Sequence, residues 1–219
     1  MNEIEDYIRS VIQQIEFLPA EKQRLEDDLR AHFEDAVHSG ESPQAIIARM
    51  GAPQEVAQAF LSQIQLRYAG FWPRLAAFLI DVLLVVTISL VLLVVAIAAS
   101  NQVPERAPTV PEMIDGLFWI GILLSVGLAI VGLILLYFPI LEGRYGQTVG
   151  KRLLNLWVRK ESGLAIGFKE AFLRRVSFYF EVFAIDALFI PFTEKRQRAF
   201  DIVARTVVVY GGARLSPVL

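Results

Sequence analysis

The sequence predicts a mainly α-helical membrane protein. It should comprise a cytosolic helical mini-domain, two transmembrane helices, a third re-entrant or interfacial helical segment and a small cytoplasmic β element. Three observations lead there. Hydrophobic residues make up 55% of the 219 positions and mean hydropathy is +0.49, well above what a soluble domain of this size requires. Two runs of 25 residues, 75–99 with Asp81 as its only charge and 117–141 with none, are each long enough to cross a bilayer. Charge is also divided: residues 1–66 hold 12 Asp and Glu against 5 Lys and Arg, a balance of −7, while residues 67–219 hold 11 against 16, a balance of +5. The division places a domain boundary between residues 66 and 67.

The same composition excludes several functions. An acidic N-terminal part lacks the basic stripe that nucleic acid requires, whereas a basic C-terminal part suits contact with a bilayer bearing acidic headgroups. With no cysteine, there is no disulfide, thiolate metal site or cysteine nucleophile. His32 and His38 are six positions apart without companion ligands, so no metal site is expected. The stretch Gly146-Gln147-Thr148-Val149-Gly150-Lys151 fails as a phosphate loop because Tyr145 precedes it and Arg152 follows its lysine. No catalytic constellation stands at enzyme spacing, and neither an enzymatic activity nor a cofactor is expected.

In residues 1–66, Ile4, Ile8, Val11, Ile12 and Ile15 recur at helical spacing, and Pro19 stands where a second helix begins. Leu25, Leu29, Phe33 and Val37 mark that second helix, which ends near Ser39-Gly40. Shorter pieces follow around Ile46 and around Phe60, with Pro43 and Pro53 at first-turn positions, where a missing N–H is harmless. None of these helices can bury its apolar face alone. A three- or four-helix unit should therefore pack around Ile8, Ile12, Leu29, Phe33, Ile46 and Phe60. An acidic segment before every long apolar run excludes a signal peptide. The stretches FLPAEKQRLEDDLRAHFEDAV and GESPQAIIARMGAPQEVAQAF resemble the small helical domain that precedes membrane segments in many bacterial proteins and is often linked with signalling regulators. The resemblance covers residues 3–62.

Each 25-residue run forms a helix about 37 Å long at 1.5 Å per residue, against about 30 Å of hydrocarbon. In the second, Gly121, Ser125 and Ala129 recur every four residues. That spacing either offers a face for close helix approach or reflects the small residues common in membrane helices. Between the spans, 100–116 holds one basic residue, Arg106, whereas 142–175 holds eight. The second stretch is therefore expected in the cytoplasm, together with the N-terminus. Residues 176–192 contain Glu181 and Asp186, meet Pro191 and are flanked by Arg174 and Arg175 before and Lys195, Arg196 and Arg198 after. They read as re-entrant or interfacial, not as a third crossing. Residues 153–159 alternate as a strand, 164–168 could return after the turn Glu161-Ser162-Gly163, and Thr206 to Tyr210 is a β-branched run. A sheet joining these keeps the C-terminus cytoplasmic.

The sequences YAGFWPRLAAFLID, EGRYGQTVGKRLLNLWV and KRQRAFDIVARTVVV, in this order over residues 68–210, resemble the RDD family, named for one arginine and two aspartates. The matching positions are Arg74, Asp81 and Asp201. Phe200 stands where the family usually has histidine, and the preceding helical domain is a second departure. The resemblance implies a membrane protein with a suggested role in transport, in a few cases like sodium/proton antiport. Independently of the name, an aspartate inside a membrane helix requires a partner or a wet cavity. Arg74 and Asp81 share a helix face about 10 Å apart. Arg74 is expected either at the interface or paired with Asp201, and Asp81 near Glu181, Asp186, Arg174 or Arg175. Such a group could exchange protons or lock helices together. Lys195, Arg196 and Arg198 are expected at the lipid interface. Two functional readings stand: a small ion or proton transporter acting as a homo-oligomer, and a membrane-anchored sensor or scaffold whose residues 1–66 bind a cytosolic protein.

Overall fold

The computed structural model describes residues 2–100, 110–180 and 182–212. Four helices open the chain: α1 Asn2–Gln14, α2 Pro19–His38, α3 Pro43–Met50 and α4 Pro53–Leu61. Three of them begin on proline, whose fixed φ suits a first turn, and Ser42 caps α3 by accepting from the Ala45 amide at 3.3 Å. Ile8, Ile12, Leu29, Phe33 and Ile46 form the core as expected. Phe60 is only partly buried, and Val37 faces outward.

Two long helices follow, α5 Phe71–Ser100 and α6 Val110–Tyr145. Both outrun their uncharged stretches, and both are long and apolar enough to cross a bilayer. They run antiparallel, since Asp81 near the start of α5 is bonded to Tyr137 near the end of α6 and Phe78 stacks on Phe138. Farther along, Leu83, Val91, Leu124 and Leu128 are exposed, a surface suited to lipid. Gly121 and Ser125 do not face α5: a Cβ at Gly121 meets nothing within 4 Å, and the Ser125 hydroxyl donates to its own helix at the Gly121 carbonyl. Close approach occurs instead at Gly143, against Phe168, and at Gly150, against the Ala77 carbonyl. Arg106 lies outside the described residues.

The remaining elements gather at the end of the spans where α5 begins and α6 finishes. They are α7 Val149–Leu153, β1 Leu156–Lys160, α8 Phe168–Leu173, α9 Val176–Tyr179, α10 Phe183–Leu188, a 3-10 turn Ile190–Phe192, α11 Ala199–Val203 and β2 Thr206–Tyr210. Strand β1 starts three residues later than the alternation suggested, because Thr148 caps α7 and draws Leu153 into a helix. The expected return over 164–168 shrinks to one bridge, Arg159 to Ala165, before Phe168 opens α8. The partner of β1 is β2, antiparallel from Leu156↔Tyr210 to Lys160↔Thr206.

The described residues of 176–192 form short helical pieces, the longest of six residues. Six residues rise about 9 Å, far less than about 30 Å of hydrocarbon. Arg174 before the segment bonds Asp201 after it at 2.8 Å, so the chain leaves and returns at the same end of the spans. The pieces expose Phe180, Ile185, Leu188, Phe189 and Phe192, an apolar rim suited to an interface.

Strand β2 connects the two halves. Neighbouring side chains on a strand point to opposite faces, and TVVVY is buried on both. Val207 and Val209 enter the core of the four N-terminal helices, while Val208 packs with Ala69, Ala77, Leu156 and Val158 below the spans.

Candidate functional site

The site is a buried charge cluster at the root of the spans. Helix α5 contributes Arg74, which donates from Nη1 to Asp201 Oδ2 at 2.8 Å, from Nε to the Ala69 carbonyl at 3.1 Å and from Nη2 to the Arg196 carbonyl at 2.5 Å. Arg196 presents that carbonyl from a left-handed backbone, φ 50°. Of the two options for Arg74, the geometry is that of pairing with Asp201. Arg174, at the end of α8, bridges Asp201 (2.8 Å) and Glu142 of α6 (3.0 Å). Glu142 also takes the Lys151 ammonium and lies 3.7 Å from Arg175. Asp186 accepts from the Ser177 hydroxyl and the Phe200 amide, both at 2.8 Å, with Arg198 at 3.7 Å.

Asp201 sits in the first turn of α11, where its carboxylate also accepts from the Arg198 amide at 3.2 Å, as suits a helix start. Burial pushes its carboxyl upward, but Arg174, Arg198 and Arg74 more than reverse this and hold it well below the usual aspartate value. Burial lowers Arg198 too, an effect outweighed by Asp201 and Asp186, which leave it raised. Burial pulls Lys151 down to about 8 and Arg175 down to about 10, against the pull of Glu142 in each case.

Asp81 is fully buried and held differently from what its neighbours in sequence suggested. Its oxygens accept from the Tyr137 hydroxyl at 2.8 Å, the Thr148 hydroxyl at 2.5 Å and the Gly150 amide at 2.7 Å. Among the described residues no cation lies within ion-pair distance of it. Asp186 is engaged elsewhere, while Arg174 and Arg175 share only a cavity with it. Glu181 lies outside the described residues. The glycine at 150 is required, because a Cβ there would collide with the Ala77 carbonyl. The loop that fails as a phosphate cradle thus serves as a carboxylate cradle.

Sequence reasoning missed Glu142, Lys151, Tyr137, Thr148, Gly150 and Ser177. Glu142 was legible as a charge ending the second span, and Gly150-Lys151 as a glycine beside a cation just after it. The neutral donors carry no such mark. Of the basic residues expected at the lipid interface, Lys195 pairs with Glu161 at 3.1 Å, Arg196 is exposed, and Arg198 lies inside the cluster. Two carboxylates, Asp201 at 3.2 Å and Asp186 at 3.7 Å, already flank Arg198 from within the fold, which is why it turns inward. A cavity of about 60 Å³ adjoins the cluster, lined by Arg74, Asp81, Lys151, Arg174, Arg175 and Arg198 with Phe71, Phe78 and Phe138. Such an arrangement can fix helices to one another and can present positive charge to a small ligand.

Comparison with known proteins yields two family matches. The model of the RDD family matches residues 68–205, a stretch that includes Arg74, Asp81, Asp201 and nearly all their partners. A second model, HAAS, matches residues 6–59 in the N-terminal helices. Neither the curated proteins nor the solved structures include a match to this chain. Because the first match spans more than half of the sequence and contains two apolar helices of membrane-crossing length, the chain belongs to the RDD family of membrane proteins.

Proposed function

We propose that this RDD family member is a membrane-anchored platform that holds its N-terminal helical module in a fixed orientation for a cytosolic partner. The observation that carries this reading is the double burial of β2. Val207 and Val209 complete the core of the module, while Val208 completes the core beneath the spans. A module meant to swing freely would not share a strand with its anchor. The bilayer segment supports the same reading. Beyond Asp81, α5 carries no charge from Val82 to Ser100, and the cleft between the spans is lined by Val82, Val85, Val86, Leu90 and Ile134 with Ser89. A single chain therefore offers little polar path across the membrane. The eight basic residues of 142–175 against Arg106 alone between the spans favour a cytoplasmic module.

A second reading is transport by a homo-oligomer, favoured by one observation: the buried Asp81 borders a cavity rich in cations. Reconstitution of the pure protein in vesicles separates the two. The platform reading predicts no cation-driven proton flux above protein-free vesicles. Flux that persists after removal of residues 1–66 would replace it with transport.

A further inference from the structure

The cavity at the root of the spans contains a guanidinium that, among the described residues, donates no side-chain hydrogen bond. Arg175 is 6% exposed, and its guanidinium carbon lies 3.5 Å from the centroid of the Phe138 ring, so one face is covered by an aromatic. Its charged partner, Glu142 Oε1, is 3.7 Å away. Among the described residues, none of its five side-chain N–H donors makes a hydrogen bond. An arginine fork is the side chain best suited to bind an oxyanion through two parallel bonds. Lys151 is similarly underused: it is buried and has one carboxylate partner, although an ammonium has three donors.

Charge balance points the same way. Glu142 is shared by Lys151, Arg174 and Arg175. The cluster places five cations, Arg74, Lys151, Arg174, Arg175 and Arg198, against Glu142, Asp186 and Asp201. Asp81, a fourth carboxylate, is held by neutral donors and lines the same cavity, so the cations outnumber the carboxylates by five to four. Excess buried positive charge is expensive unless an anion answers it. The cavity of about 60 Å³ exceeds the space of a single water, and its remaining lining, including Phe71, Leu75 and Ile190, is apolar.

We propose that this cavity binds a phosphate group, either free or carried by a membrane-lipid headgroup, with Arg175 and Lys151 as its principal donors. Arg175 supplies a planar fork held in place by Phe138, and Lys151 supplies a point charge from the first turns after the second span. This inference does not depend on the platform reading, because an anchor and a transporter could each hold such an anion.

The test uses the full chain purified in detergent and in nanodiscs. One arm titrates inorganic phosphate calorimetrically at constant ionic strength, with chloride as the control. The other uses native mass spectrometry to compare lipid retention from phosphatidylcholine discs with and without phosphatidylglycerol. Binding in one arm is expected, weakened at least about tenfold by Arg175→Gln, as loss of a charge-assisted hydrogen-bond pair implies. Phosphate binding without lipid retention assigns a free anion; selective retention of phosphatidylglycerol with phosphate inert assigns a headgroup. If Arg175→Gln does not fold, Arg175→Lys takes its place, since it keeps the charge and loses the fork. Wild-type protein that binds neither ligand, or a folded variant that binds as tightly as wild type, overturns the proposal.

Discussion

Asp81 and Asp201 are both fully buried carboxylates, yet they are answered by opposite chemistry and should respond differently to neutralisation. Asp81 receives three neutral donors. An amide at this position keeps one acceptor for Gly150 and Tyr137 and can donate to the Thr148 oxygen. Asp81→Asn should therefore lower stability by only about 1–2 kcal/mol, whereas Asp81→Ala orphans three donors at about 1–3 kcal/mol each. Melting temperatures of the purified variants check this order, and an Asn variant worse than Ala would contradict the cradle. Asp201 instead balances Arg74, Arg174 and Arg198. Asp201→Asn leaves those cations uncompensated, at about 3–5 kcal/mol. Since its folded value lies below the ordinary 3.8, the contribution of its charge is complete above that value and is lost as pH falls through the depressed one. Wild type should lose this stabilisation only in strong acid, and Asp201→Asn should lack that part of the acid dependence. The pairing of Arg74 with Asp201 was foreseeable from two opposite charges in a membrane protein. The partners of Asp81 were not, because a tyrosine, a threonine and a backbone amide 56 to 69 residues away leave no pattern in sequence.

At the scale of elements, spans were legible because length and apolarity fix a bilayer helix almost alone. The sheet was half legible. The run TVVVY announced β2, but β1 could be placed only once Thr148 was known to start a helix that consumes Leu153. Which glycines matter was illegible, since a close approach depends on which element arrives opposite. Gly121 looked like a contact residue and faces open space, while Gly150 looked like part of a failed phosphate loop and lies against the α5 backbone. Gly150→Ala should therefore cost at least about 1–3 kcal/mol through overpacking of α7 on α5. Gly121→Ala should leave the stability of the single chain unchanged or slightly improved. Thermal unfolding of the two variants side by side checks the contrast; equal effects would mean that α7 is not seated on α5.

At the scale of the whole molecule, the N-terminal helices and the membrane part are separable by charge and by family match but not by their packing. Phe17, Leu18, Leu61 and Ile64 share one core with Val207 and Val209. Expressed alone, residues 1–62 should be helical yet measurably less stable than the same helices in the full chain, because short helices depend on tertiary burial. Val209→Ala in the full chain should weaken the module by about 1–3 kcal/mol, although the substitution lies outside it. Hydrogen exchange of α1 and α4 reads both effects. Charge division predicted two units, and only the alternation of buried valines along β2 reveals how they are joined. The joint itself can be measured directly, since a chain without cysteine accepts a pair of site-specific spin labels cleanly. Labels at the exposed Asp28 of α2 and Lys169 of α8, in protein reconstituted in nanodiscs, should give one narrow distance distribution by pulsed electron spin resonance. A broad distribution would mean that the helical module moves freely on its anchor, and the platform would fall.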